Sequence, residues 1–81
     1  MDEQISVEFL GVLSTDKYEN LEKVWLPGKQ GNMTIMPRHD SLVTELRDSD
    51  VTLFFKNGET KELPVKNSFA IIEKDKIIVF I

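Results

Sequence analysis

Between Val24 and Leu46 the chain reads V-W-L-P-G-K-Q-G-N-M-T-I-M-P-R-H-D-S-L-V-T-E-L, and this run leaves room for little besides short strands and tight turns. Pro27-Gly28, Gly31 and Pro37 interrupt it before any apolar piece reaches the ~10–12 residues of an ordinary helix. Pro27-Gly28 suits the two central positions of a type II turn, proline fixing φ at the first and glycine accepting a positive φ at the second. Met33 to Met36 reads as a short strand with Met33 and Ile35 on one face, ended by Pro37, which removes a ladder donor. Leu42 to Leu46 is the next apolar piece. Leu42, Val43 and Leu46 fit a single helical turn as well as a strand, so its type stays open.

Elsewhere period two dominates. Ile5, Val7 and Phe9 alternate with Ser6 and Glu8, the pattern of a half-buried strand. Leu10-Gly11-Val12-Leu13 extends the apolar run, with Gly11 marking a bulge or bend, and Ser14-Thr15-Asp16 is a turn cluster. Tyr18 to Leu26 ends in Val24-Trp25-Leu26, which favours a strand. Strict alternation puts Leu21, Lys23 and Trp25 on one face and Glu22, Val24 and Leu26 on the other. Val51–Phe55 and Thr60–Val65 flank Asn57-Gly58, the dipeptide of a type I′ hairpin, with Pro64 at a strand end or edge. A second hairpin joins Ser68–Glu73 to Lys76–Ile81 around Lys74-Asp75, with Ile77, Val79 and Ile81 on one face and Ile78 and Phe80 on the other. Many short strands at close spacing point to a small, mostly antiparallel all-β sandwich.

The 81 residues form one domain, 1–81, with 41% apolar content, enough for a single core. There is no cysteine, so disulfides and thiolate metal sites are excluded. The net charge of −4, with Lys and Arg scattered among acids, argues against nucleic acid as a partner. No apolar stretch approaches the ~20 residues of a membrane helix. The start, M-D-E-Q-I-S-V-E, lacks the basic region of a signal peptide. Membrane contact would have to run through a partner protein.

Catalytic patterns are missing. His39 is the sole histidine, and its neighbour Asp40 would point to the opposite face of a strand unless the backbone bends. Ser41 and Thr44 carry no nucleophile elbow. Asp48-Ser49-Asp50 lacks the ligand count of a calcium loop, and no phosphate loop is present. No cofactor, metal or small-molecule substrate is expected. Trp25 is read as a core filler, the alternative being an interface anchor. His39 is either a contact residue on a loop stiffened by Pro37 or a locally bonded loop residue.

In order and spacing, the pieces from Val24 to Leu46 resemble the N-terminal domain of the epsilon subunit of F-type ATP synthases: a Pro-Gly turn, a Gly, an Ile-Met-Pro step, His39, then an apolar strand holding Thr44. The likeness continues loosely through Lys66-Asn67-Ser68-Phe69-Ala70-Ile71 to Asp75-Lys76-Ile77-Ile78-Val79, and is weak over the first 23 residues. The resemblance implies a flattened β-sandwich of about eight to ten short strands. It further implies a non-catalytic central-stalk (rotor) subunit. This would link the gamma subunit to the membrane c-ring on the cytoplasmic face of the bacterial inner membrane, coupling ion flow to ATP synthesis. By position, His39 and Thr44, with Arg38 beside them, would face gamma. Asn32, where the family often has Glu, would lie near the c-ring, and Asp40 could supply the charge that Asn32 lacks.

The chain departs from the family pattern at Asn32, at Thr34 in place of Gly, and at Asp40-Ser41 in place of Ala-Pro. Full-length family members continue into two C-terminal helices that carry regulatory inhibition; 81 residues is either a short natural form or a piece of a longer chain. A complete 81-residue chain would couple the rotor without inhibiting it through those helices. The competing reading from the residues alone is a free-standing β-sandwich adaptor that binds a partner by an exposed edge.

Overall fold

The computed structural model describes residues 3–81. Eight strands follow in order: β1 (Ile5–Leu10), β2 (Thr15–Leu26), β3 (Met33–Ile35), β4 (His39–Glu45), β5 (Ser49–Phe55), β6 (Thr60–Val65), β7 (Phe69–Lys74) and β8 (Lys76–Phe80). They form one continuous sheet in the order β4-β7-β8-β1-β2-β5-β6, with β3 paired to β2. Every pairing is antiparallel except β1 with β8. The sheet is folded over on itself. One layer is β4, β7, β8, β1 and the first half of β2; the other is β3, the second half of β2, β5 and β6. The shortest extent of the molecule is 18 Å, the thickness of two layers packed about 10 Å apart.

The fold-over is made by β2. Ile5 pairs with Leu21 but Val7 pairs with Tyr18, so β2 spends an extra residue against β1. A second shift against β5 falls between Leu21 and Lys23. Asn20 takes the left-handed conformation (φ 62°), which Asn tolerates better than most residues. Such bulges bend the strand and re-aim the residues beyond the bend. As a result Leu21, Val24 and Leu26 all face the core, fully buried. Strict alternation is therefore broken at the bend, and Trp25 is only half-buried, on the outer face between Thr34 and Thr52. Trp25 does not fill the core.

The core lies between the layers. Ile5, Val7, Phe9, Ala70, Ile72, Ile77 and Val79 meet Leu21, Val24, Leu26, Ile35, Val51, Leu53 and Val65. At one end Phe9 packs edge-on against Tyr18 (5.9 Å, 86°), whose ring also carries the Lys61 ammonium at 5.2 Å. Leu42 to Glu45 lies within β4, so the open choice between helix and strand resolves to strand. Pro64 sits in β6, the last strand of the sheet path, where a missing donor costs no ladder bond.

Three local expectations are corrected. Val12 and Leu13 do not continue β1. They form the tip of the β1–β2 turn, closed by the Gly11 N–H to the Ser14 carbonyl (2.9 Å), and each is 97% exposed; β2 begins at Thr15, inside the expected turn cluster. Gly28 does not take a positive φ, so Pro27-Gly28 is not the centre of a type II turn. The turn runs from Gly28 to Gly31, whose N–H reaches the Gly28 carbonyl at 3.2 Å, and the positive φ (148°) is at Gly31.

The β5–β6 hairpin forms, but not through a type I′ turn. Asn57 keeps a negative φ and Gly58 alone is left-handed (φ 94°). Gly58 N–H bonds the Phe55 carbonyl and Phe55 N–H bonds the Glu59 carbonyl, giving a three-residue loop closed by a glycine bulge. Asn57 serves through its side chain, whose Oδ1 accepts from the Glu59 N–H at 2.9 Å. Gly58→Val is expected to destabilise the chain by about 1–2 kcal/mol, because a β-branched residue resists left-handed φ. An unchanged midpoint in urea denaturation would remove the requirement for glycine there.

Candidate functional site

Strand β4 organises the residues singled out by sequence, and it divides them. At its start, Arg38 follows Pro37 with a left-handed backbone (φ 66°) and opens into His39. The Arg38 N–H donates to Asp75 Oδ1 at 2.7 Å, across the β7–β8 turn. The exposed Arg38 guanidinium lies 3.4 Å from Glu3 Oε1. His39 Nδ1–H donates to the Asp40 carbonyl at 2.7 Å. The pairing of β4 with β7 is irregular between His39 and Leu42, and the histidine finds its neighbour's carbonyl rather than its carboxylate. Arg38, His39, Asp40 and Ser41, with Lys74 and Asp75, line an open depression at this corner.

At the other end of β4, roughly 16 Å away at the rise of a strand, Thr44 and Glu45 face the Gly28–Gly31 turn. Glu45 carries the Lys29 ammonium (3.2 Å), and the Glu45 carbonyl accepts from the Lys29 N–H at 2.9 Å. Thr44 Oγ1 donates to the Glu45 carbonyl. Asn32 is exposed beyond this turn and accepts from the Arg47 guanidinium through Oδ1. Thus the fold brings Arg38, His39 and Asp40 together, and gathers Thr44 and Asn32 at the opposite end. Asp40 is not beside Asn32.

A second surface lies on the outer face of the β4-β7-β8-β1 layer. Cross-strand pairing aligns Val43 with Ile71 and Ile78, and Phe69 with Phe80 and Leu10. The Phe69 and Phe80 rings stack at 4.6 Å and 15°. Val43 is 66% exposed and Phe69 40%, and the band ends at the exposed Val12–Leu13 tip. Val43, Ile71, Ile78, Phe69 and Phe80 thus form one apolar band on the outer face. Sequence reasoning passed over it because Val43, Phe69 and Phe80 alternate with core residues and read as ordinary strand positions. It also missed Asp75 and Arg47, whose partners are 37 and 15 residues away in the chain.

Among the described residues, no His, Asp and Glu group could hold a metal ion, and no helix is long and apolar enough to cross a membrane.

The family described as "ATP synthase, Delta/Epsilon chain, beta-sandwich domain" matches residues 11–81. An ATP synthase epsilon chain of Koribacter versatilis is 36% identical over 58 residues, 72% of this chain and 40% of that protein. One of Prochlorococcus marinus is 32% identical over 75 residues, 89% of this chain and 55% of that protein. The chain thus spans about half the length of the curated relatives it matches. Among solved structures, a chain of the Euglena gracilis mitochondrial ATP synthase superposes with a TM-score of 0.87 at 12% identity, covering 99% of this chain and 51% of that one. A chain of the Tetrahymena thermophila mitochondrial ATP synthase central stalk and c-ring superposes at 0.76 with 8% identity, covering 94% and 61%. At such identities the superpositions establish the shared fold, while the match over residues 11–81 and the epsilon-chain relatives establish that the chain belongs to the β-sandwich family of ATP synthase delta and epsilon chains.

Proposed function

We propose that this chain is a non-catalytic central-stalk module of an F-type ATP synthase, joining the gamma subunit to the membrane c-ring. It would then sit peripherally on the cytoplasmic face of the bacterial inner membrane and reach that membrane only through the ring. The single observation that carries the reading, given the family, is the apolar outer face from Val43 to Leu10, which a partner protein would cover. Arg38 and His39 at one corner, and Thr44 along β4, are the proposed gamma contacts. Asn32 at the far end is the proposed ring contact. Asp40, beside His39, is proposed with Asn32 as the second ring contact.

The mechanism is adhesion rather than chemistry. Torque passes only if both interfaces persist under load, which calls for roughly 1,000 Å² or more of burial at each. Strand β4, hydrogen-bonded along β7, holds the Arg38–His39 corner and the Thr44 end at constant separation.

Calorimetry with the gamma subunit of the same organism, checked by co-elution, tests this. One-to-one binding is expected. The double variant Arg38→Ala/His39→Ala should weaken it at least tenfold with an unchanged melting temperature, since both side chains lie on an open corner outside the core. No binding between two folded proteins would leave the adaptor reading, in which an exposed sheet edge takes a different partner.

A further inference from the structure

We propose that Asp75 is a positioning residue for the Arg38–His39 corner. Its carboxylate holds the Arg38 backbone in the left-handed conformation from which both side chains are presented. The inference rests on the reading of that corner as a partner-binding surface and names the residue that sets its shape.

The reason lies in how the β4–β7 ladder ends. His39 pairs with Lys74, so Arg38 and Asp75 are the next residues out on the two strands. There the ladder has no further backbone bond to offer. Pro37 precedes Arg38, and Arg38 has turned left-handed (φ 66°), a conformation that disfavours any residue with a Cβ. In place of the missing rung, Asp75 Oδ1 accepts from the Arg38 N–H at 2.7 Å.

Asp75 is itself held firmly. It occupies the tight turn between β7 and β8, next to the left-handed Lys74 (φ 49°), and its carbonyl accepts from the Ser6 N–H at 3.0 Å. One residue therefore ties the β7–β8 turn, the start of β1 and the entry to β4. Its carboxylate is spent on a residue 37 positions away rather than on its own turn, where Asp commonly bonds locally. The Arg38 φ in turn decides where the guanidinium and the adjacent imidazole point.

The role depends on where the acceptor oxygen sits, not on the charge. Two variants separate these. Asp75→Asn keeps Oδ1 at the same reach without the charge; Asp75→Glu keeps the charge but moves it one methylene further. Both retain a polar side chain on an exposed turn, and melting temperatures close to wild type are expected for each. Amide hydrogen exchange at Arg38 is measured first, because it needs no partner. Wild type and Asp75→Asn should protect this amide, and Asp75→Glu should lose that protection about tenfold.

Affinity for gamma should follow the same order, within about threefold of wild type for Asn and roughly tenfold weaker for Glu. Equal exchange at Arg38 in all three proteins would overturn the positioning role. So would the reverse order of affinities, which would make Asp75 a charge contact. If wild type does not bind gamma, the stalk reading falls, while the exchange comparison still decides whether Asp75 shapes this corner.

Discussion

Leu21→Ala is expected to remove about 3–4 kcal/mol of stability, in the middle of the range for truncating a buried leucine. A chain of this size holds on the order of 4–12 kcal/mol in total, so the variant would sit close to the edge of folding. Leu21 is fully buried and lies where β2 bends, paired to Ile5 in one layer and to Phe55 in the other. No single strand can close over the space it leaves. Trp25→Ala removes a larger side chain, yet it should cost less, because Trp25 stands on the outer face. Urea denaturation of the two variants checks the ordering through their midpoints at constant m. If β2 were regular, Leu21 and Trp25 would share a face, and the two losses could not separate in this direction.

Gly28→Ala is expected to cost about 2–3 kcal/mol, the range for forcing atoms into filled space. A Cβ on Gly28 would lie 2.5 Å from the Gly31 carbonyl oxygen, and that neighbour is backbone of the same turn, unable to swing away. The turn also carries the bridge from Gly28 to Leu46 that joins the two layers. Gly28→Asn distinguishes this cause from a demand on φ. Asn tolerates left-handed φ and would largely rescue a type II turn, whereas here it should be at least as damaging as Ala. Thermal melts of both variants decide the point, and a mild Asn beside a severe Ala would restore the type II description.

The strands themselves were legible because their cores obey period two. Ile5, Val7 and Phe9, and later Ile77 and Val79, alternate in the sequence and face inward in the structure. Where the backbone breaks period, the reading failed for a local reason that a side-chain pattern does not carry. The bulge at Asn20 moved Val24 to the face of Leu21. Gly58 took the unusual φ without Asn57, and Gly31 took it in place of Gly28, because a turn's type depends on which carbonyl its N–H groups reach. Val12 and Leu13 read as strand because nothing in their apolar character reveals that they cap a hairpin.

The site was legible only as a set of residues. That His39 stands near Arg38 and Asp40 follows from the chain. That Asn32 is held by Arg47, and Arg38 by Asp75, follows from pairings between distant strands. The apolar outer face is likewise a product of register: Val43, Ile71 and Ile78 become neighbours only when three strands align.

The parallel pairing of β1 with β8 also fixes when the fold can be completed. Val7 finds Ile77, and Phe9 finds Val79, only after all eight strands have been synthesised. Until β8 has cleared the ribosome, β1 lacks one of its two neighbours and β7 lacks the partner on its inner side. The β5–β6 hairpin can form early from contacts close in sequence, but the layer that bears the apolar face cannot. Closing a pairing between such distant segments is slow, and the interval leaves apolar core residues and an unpaired strand exposed together. A newly made chain therefore passes through an aggregation-prone stage that the finished molecule does not share.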